Sequence, residues 1–233
     1  MKRILVVEDE DAIRDFEVLN LKRMGYEVTD VADGDRAWET FLAEGGNYDV
    51  VLLDIMLPGM DGLTLCKKIR EQNAAIGIIM LSAKTQEMDK VSALMYGADD
   101  YVTKPFGPAE LVARVDAVHR RVTMLKGMGE KQSGDVLTSG PFVLNLQSRA
   151  LTKNGQPIDL TQVEFQIMEL FMGKEDVALE RGEILSQVWG KDYTGDVKIV
   201  DVNIRRLRMK VEDEPSEPSH ILTVWGYGYK WKG

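Results

Sequence analysis

The run Val50-Val51-Leu52-Leu53-Asp54-Ile55 places four apolar residues before an aspartate. Val and Leu at every position, without polar alternation, suit a strand buried on both faces, as in a parallel sheet covered by helices. Working outward, the same pattern recurs at Ile4 to Val7 before Glu8 and Asp9, and at Ile76 to Leu81 before Ser82. Weaker strand patterns lie at Glu27 to Val31 and at Tyr101 to Thr103, the latter before Lys104. The intervening segments Ala12 to Met24, Asp35 to Ala43, Thr64 to Glu71, Met88 to Met95 and Pro108 to Arg121 read as helices. In the last, Pro108 suits the first turn, Glu110 the positive end and Arg120 and Arg121 the negative end, while Leu111, Val115 and Val118 form a buried stripe. Strands alternating with helices predict an α/β domain, a doubly wound five-stranded parallel sheet, over residues 1–121.

Residues 122–140 lose this periodicity; Gly127, Gly129, Gly134 and Gly140 alternate with polar residues and Met, which reads as a flexible linker. Residues 141–233 read as a smaller α+β domain. Phe142 to Leu151 and the turn Asn154-Gly155 suggest antiparallel strands, and Thr161-Gln162-Val163-Glu164 is a capping box opening a helix to about Met172. Helices follow at Arg181 to Trp189 and Val197 to Glu212, then a hairpin at Ile221 to Trp231.

The 233 residues, 44% hydrophobic and 29% charged, are those of an ordinary globular protein, not a disordered or fibrous one. No apolar run approaches a membrane span. Met1-Lys2-Arg3 leads into only four apolar residues before Glu8, too few for a signal peptide, so a cytoplasmic protein is expected. Cys66 is the one cysteine, which excludes an intrachain disulfide and a cysteine zinc site and suits a buried filler. His119 and His220 have no partner pattern and read as surface residues. A net charge of −9 argues against a nucleic-acid partner, yet residues 1–121 carry −7 of it and residues 141–233 only −2. Within the second half, Lys198, Arg205, Arg206, Arg208 and Lys210 face Asp201 alone, so a basic element lies in a mildly acidic domain.

Glu8, Asp9, Asp54, Ser82 and Lys104 all follow or end predicted strands, and in an open parallel sheet those ends converge on one crevice. Three carboxylates so close repel one another, and a hard divalent cation with oxygen ligands relieves the repulsion; a phosphate partner favours magnesium, Mg²⁺, over calcium. With Lys104 as a second cation and Ser82 as a hydroxyl donor, the set can bind a transferring phosphoryl group while Asp54 attacks phosphorus. Taken singly, Asp54 reads equally as a turn or cap residue, Ser82 reads as a helix cap and Lys104 as a solvated charge.

The runs Ile4-Leu5-Val6-Val7-Glu8-Asp9-Glu10, Leu53-Asp54-Ile55-Met56-Leu57-Pro58, Leu81-Ser82-Ala83 and Gly97-Ala98-Asp99-Asp100-Tyr101 through Thr103-Lys104-Pro105-Phe106 resemble the flavodoxin-like receiver domain of bacterial two-component response regulators. The second half resembles the winged helix-turn-helix output domain of the OmpR/PhoB subfamily. The resemblance implies that Asp54 accepts a phosphoryl group from a sensor histidine kinase. It implies Mg²⁺ held by Asp9, Asp54 and the Met56 carbonyl, with Glu8 acting through water. Lys104 would contact the phosphoryl oxygens, next to a cis bond to Pro105, and Ser82 and Tyr101 would form the switch. Lys90, Asp99, Asp100, Glu110, Arg114 and Arg121 resemble the subfamily's intermolecular salt-bridge set, which implies a homodimer on phosphorylation; alone they read as solvated surface charge. The acyl phosphate implies slow self-dephosphorylation without a separate enzyme activity.

In the helix Val197 to Glu212, Val200, Ile204, Leu207 and Val211 form a core stripe, and Lys198, Val202, Arg205, Arg206 and Met209 the opposite face. A helix with a basic outer face can enter the major groove of double-stranded promoter DNA, with Arg pairing guanine or phosphate and Val202 meeting a thymine methyl. The run Ile204-Arg205-Arg206-Leu207-Arg208 resembles the subfamily's recognition helix, so the candidate contacts are Lys198, Val202, Asn203, Arg205, Arg206 and Arg208, with Lys230 from the tail. Trp189 to Asp196 resembles the loop that contacts RNA polymerase in relatives. Trp225, Tyr227, Tyr229 and Trp231 at period two share one strand face and suggest packing across the hairpin. Trp225 stands where one common family pattern has a basic residue.

The resulting expectation is a phosphorylation-activated DNA-binding transcriptional regulator. Two alternatives stay open: a constitutive DNA-binding regulator whose receiver only dimerises, and a Mg²⁺-dependent phosphatase, against which Met56 stands where a second acid is needed.

Overall fold

The computed structural model describes residues 2–83, 87–123, 136–191, 193 and 195–233, apart from the side chains at 87–89 and 121–123. The chain forms two compact units, Met1–Met124 and Leu125–Gly233.

In the first unit β1 (Arg3–Val7), α1 (Asp11–Arg23), β2 (Glu27–Val31), α2 (Gly34–Ala43), β3 (Val50–Asp54), α3 (Gly62–Gln72), β4 (Gly77–Ser82), α4 (Glu87–Met95), β5 (Asp100–Thr103) and α5 (Pro108–Thr123) alternate in order. The strands pair in parallel as β2-β1-β3-β4-β5. β3 and β4 are buried along their whole length, as expected of runs without a polar face. Leu111, Val115 and Val118 of α5 are fully buried against Val50, Leu52, Ile79 and Leu81. Each such side chain contributes roughly 1.5–3 kcal/mol on leaving water.

Helix starts follow local chemistry. Asp33 accepts from Arg36 N (2.8 Å) and Asp61 from Thr64 N (2.9 Å), each satisfying an amide with no partner inside its helix. Asp61 as cap explains why α3 begins two residues before the apolar periodicity.

The second unit has a four-stranded antiparallel sheet of β6 (Val136–Ser139), β7 (Phe142–Asn145), β8 (Ala150–Lys153) and β9 (Gln156–Ile158). Three helices follow: α6 (Gln162–Met172), α7 (Arg181–Val188) and α8 (Lys198–Val211). β10 (Ala178–Glu180), β11 (Ile221–Val224) and β12 (Gly228–Trp231) form a second antiparallel sheet in the order β10-β12-β11. The capping box is present: Thr161 Oγ1 accepts from Glu164 N (3.4 Å) and Glu164 Oε2 from Thr161 N (2.8 Å).

The span read as linker, 122–140, includes the end of α5 and all of β6; residues 124–135 lie outside the described ones. At four residues, Val136 to Ser139 is too short for its sequence to show a strand period. His119 is buried, not superficial, with the Tyr26 ring edge-on at 5.8 Å and Asp49 Oδ2 at 4.0 Å. His220 stacks on Trp231 at 5.5 Å and meets the Phe142 ring at 4.8 Å. Cys66 is buried as expected. Among the described residues no helix is long and apolar enough to cross a membrane.

Glu17 of α1 is fully buried, and neither carboxylate oxygen has a hydrogen-bond partner. Burial first, then the Glu8 carboxylate, push its pKa from 4.5 up to about 8, against the pull of Lys104. The unfolded chain releases this proton near its ordinary pKa while the folded state retains it. Stability therefore falls as pH rises through that window, by a few kcal/mol in all. Chemical denaturation at pH 5 and pH 8 should show wild type losing more stability than Glu17→Gln; equal losses would contradict the assignment.

Candidate functional site

The parallel register brings the polar strand ends together. Val7 pairs with Leu53, Asp54 with Leu81 and Ser82 with Thr103, so the residues that end or follow β1, β3, β4 and β5 line one edge of the sheet. There the carboxylate oxygens of Glu8, Asp9 and Asp54 lie within 4.8 Å of one another, with Asp9 exposed and the other two buried. Lys104 Nζ donates to Glu8 Oε2 at 2.6 Å and also to Asp54 Oδ2. Met56 N donates to Asp54 Oδ1 at 2.7 Å. The Lys104–Pro105 bond is cis. These groups line a cavity of about 960 Å³ whose other wall is apolar, built from Ile13, Phe16, Pro105 and Phe106.

Burial raises the Glu8 pKa, and the Lys104 bond opposes it. Burial also pulls Lys104 down, but its bonds to Asp54 and Glu8 outweigh that, leaving a firmly held cation. Among the described residues, the three carboxyl groups share the Lys104 ammonium. That donor set fits a hard divalent ion with oxygen ligands. A close backbone approach fixes the attachment of Asp54: a Cβ on Gly62 would stand 1.9 Å from the Asp54 carbonyl oxygen, so only glycine lets α3 start here.

Ser82 is fully buried and lines the same cavity, whereas Tyr101 on β5 is buried with the Lys90 ammonium 5.9 Å from its ring centroid. Of the residues assigned to a dimer face, Arg114 bonds within the chain to Asp100 (3.1 Å) and Glu110 (2.9 Å). Asp99 and Asp100 are both buried; Asp99 pairs with Arg70 of α3 and accepts from Ile78 N at 2.8 Å. The Arg121 side chain lies outside the described ones.

The expectation for α8 needs correcting. Val200, Ile204, Leu207 and Val211 are buried as read, but so are Val202, Asn203 and Arg206. Asn203 Nδ2 donates to Ile199 O at 2.8 Å, and Arg206 pairs at 2.9 Å with Glu164, which Lys210 also meets at 2.7 Å. Burial works against the Glu164 charge, yet Arg206 and Lys210 together hold its pKa below the usual carboxylate value. Arg206 is therefore committed to the interior, because the capping-box acid needs an internal cation. Arg208 is half-buried and donates to Ile221 O (2.6 and 3.0 Å) and Thr223 Oγ1 (2.9 Å). The exposed side of α8 carries Lys198, Arg205 and Met209. Lys230 is half-buried and 3.4 Å from Asp176.

The four tail aromatics do not share a face, because Trp225, Gly226 and Tyr227 form the turn between β11 and β12. Trp225 is 91% exposed, whereas Tyr229 and Trp231 are buried. Arg181, outside the candidate set read from the sequence, opens α7 and bonds Asp201 of α8 at 2.7 Å. A cation at a helix N-terminus opposes the dipole, and that was the available signal of an outside partner.

Residues 4–116 match the family model "Response regulator receiver domain", and residues 155–231 match "Transcriptional regulatory protein, C terminal". The chain is 42% identical to the sensory transduction protein RegX3 of Mycolicibacterium smegmatis over 233 residues and to RegX3 of Mycobacterium tuberculosis over 234, with all of each chain covered. Among solved structures it is similar to a RitR mutant (28% identity, TM-score 0.79) and to response regulator DrrB of Thermotoga maritima, an OmpR/PhoB homolog (29% identity, TM-score 0.50), again over the whole of both chains. Two family matches in series, an acidic crevice in the first unit and a winged-helix fold in the second agree with these full-length likenesses: the chain belongs to the OmpR/PhoB-type response regulators, phosphorylation-activated transcription regulators of two-component systems.

Proposed function

We propose that Asp54 is the phosphoacceptor of this regulator. The observation that carries the reading is the Asp54 carboxylate itself, bonded to the Lys104 ammonium and the Met56 amide with Glu8 and Asp9 beside it. An Asp54 oxygen forms the new bond to phosphorus as the phosphorus–nitrogen bond to the kinase histidine breaks; the electron pair passes to the imidazole, which takes up a proton. Lys104 offsets charge gathering on the phosphoryl oxygens. Asp9, Asp54 and the Met56 carbonyl would hold Mg²⁺, with Glu8 acting through water. The ion, when bound, supplies further charge stabilisation on those oxygens. The resulting acyl phosphate hydrolyses slowly, so the chain resets itself without acting on a separate substrate.

A phosphoryl group at Asp54 presents strong acceptor oxygens close to the buried Ser82 hydroxyl. In this reading Ser82 turns toward them, Tyr101 follows into the vacated space, and the face of α4, β5 and α5 is remodelled. Lys90, Asp99, Asp100, Glu110, Arg114 and Arg121 then pair across a homodimer, with Arg114 exchanging its internal partners for those of a second copy. Dimerisation makes binding by the second output domain effectively intramolecular. Lys198 and Arg205 of α8, with Lys230, supply the DNA contacts, and Arg208 anchors the wing, the hairpin of β11 and β12, to the helix. The loop Trp189 to Asp196 is the candidate RNA polymerase contact; Trp189 itself is buried, and Asp192 and Thr194 lie outside the described residues. The phosphoryl donor is a sensor histidine kinase, and the compartment is the cytoplasm.

Incubated with Mg²⁺ and a small acyl phosphate donor, wild type should gain the mass of one phosphoryl group. Asp54→Ala and chelator-treated wild type should gain none; modification of Asp54→Ala would place the acceptor elsewhere. Arg114→Glu should still be phosphorylated yet remain monomeric in sedimentation, and phosphorylation-driven dimers of that variant would refute the face assigned to Arg114.

A further inference from the structure

The exposed side of α8 carries an acid among its cations. Asp201 lies three residues after Lys198 and four before Arg205, and its side chain is 41% exposed. A carboxylate here repels the phosphates of a duplex that those cations attract. Its bonds give it another task. Asp201 Oδ1 accepts from Arg181 Nε at 2.7 Å and from the Tyr229 hydroxyl at 2.7 Å. Arg181 is the first residue of α7 and Tyr229 lies on β12, so one oxygen joins α8 both to the helix before it and to the wing.

The joint is reinforced around the Tyr229 ring. The guanidinium carbons of Arg181 and Arg208 lie 4.9 and 5.6 Å from its centroid. Arg208 also binds Ile221 O and Thr223 Oγ1 of β11, and Arg181 N donates to Tyr227 O at 3.4 Å in the wing turn. Burial and the Asp201 bond push the Tyr229 hydroxyl up to about 12, so it stays a donor at every working pH.

We propose that Asp201 is a positioning residue for sequence-selective DNA binding: it fixes the wing and the start of α7 against α8, although its own charge repels the duplex. The inference rests on the reading of α8 as the groove-facing helix. Charge alone predicts that removing Asp201 tightens binding to any DNA. Positioning predicts weaker binding to a selected sequence and no loss on an arbitrary one, because phosphate attraction tolerates a loosened wing and base-edge alignment does not.

The test uses the full-length phosphorylated protein, a duplex enriched from random-sequence DNA by wild type, and a scrambled duplex of equal length. Asp201→Ala, losing a charged hydrogen bond, should bind the selected duplex about tenfold more weakly. On the scrambled duplex it should bind as tightly as wild type or tighter. Tyr229→Phe removes a single hydroxyl and leaves both charges in place, so it remains informative if Asp201→Ala fails to fold; about a fivefold loss confined to the selected duplex is expected. Two outcomes overturn the proposal: either variant binding both duplexes more tightly by the same factor, or either losing affinity for both equally. Arg205→Ala separates the two readings. If it leaves selectivity intact, the groove-facing role of α8 fails, whatever the Asp201 variants do.

Discussion

Glu8, Asp9 and Asp54 hold three carboxylates within 4.8 Å, a grouping that the fold must maintain against its own repulsion. At an effective dielectric constant of 20, two unit charges 4 Å apart repel by about 4 kcal/mol. The groups stay together because each is attached to a strand that cannot move: β1 and β3 are adjacent central strands whose apolar residues are buried on both faces. Lys104 relieves part of the repulsion from the far side of the sheet edge, and Gly62 lets α3 begin against the Asp54 carbonyl. The receiver is thus a frame around a cluster of like charges, and such a donor set fits a hard divalent cation.

The second unit solves a related problem by opposite means. Its concentrated charge, Glu164 with Arg206 and Lys210, is internal and ion-paired within the chain itself. Breaking such a group strands a buried charge, typically at a cost of 3–5 kcal/mol. It ties the first turn of α6 to α8. Lys198 and Arg205 lie on the exposed side of α8, whereas Arg206 lies inside.

The receiver was legible because its function coincides with its periodicity: buried runs end in polar residues, and parallel topology brings those ends together. The output domain was less so. A wheel drawn for α8 assumes one buried stripe, whereas α8 is buried over most of its circumference. A buried Arg with an internal partner looks, in sequence, like a solvated one; the partner of Arg206 is 42 residues away, in a capping box read as purely local. The burial of His119 is hidden for the same reason, since Asp49 is distant in the chain. Tyr229 and Trp231 differ from Trp225 and Tyr227 because the turn interrupts the alternation, and period two holds only within a strand.

The wing turn also gives the protein a built-in optical marker. Trp189 and Trp231 are sealed in the core of the output domain, Trp38 is half-buried in the receiver beside Phe41 and Lys68, and Trp225 stands nearly free at the hairpin tip. An aqueous collisional quencher therefore samples chiefly Trp225, while the sealed indoles emit as an internal reference. Events at the wing are separable by light from unfolding of the domain that carries it, without attaching a label.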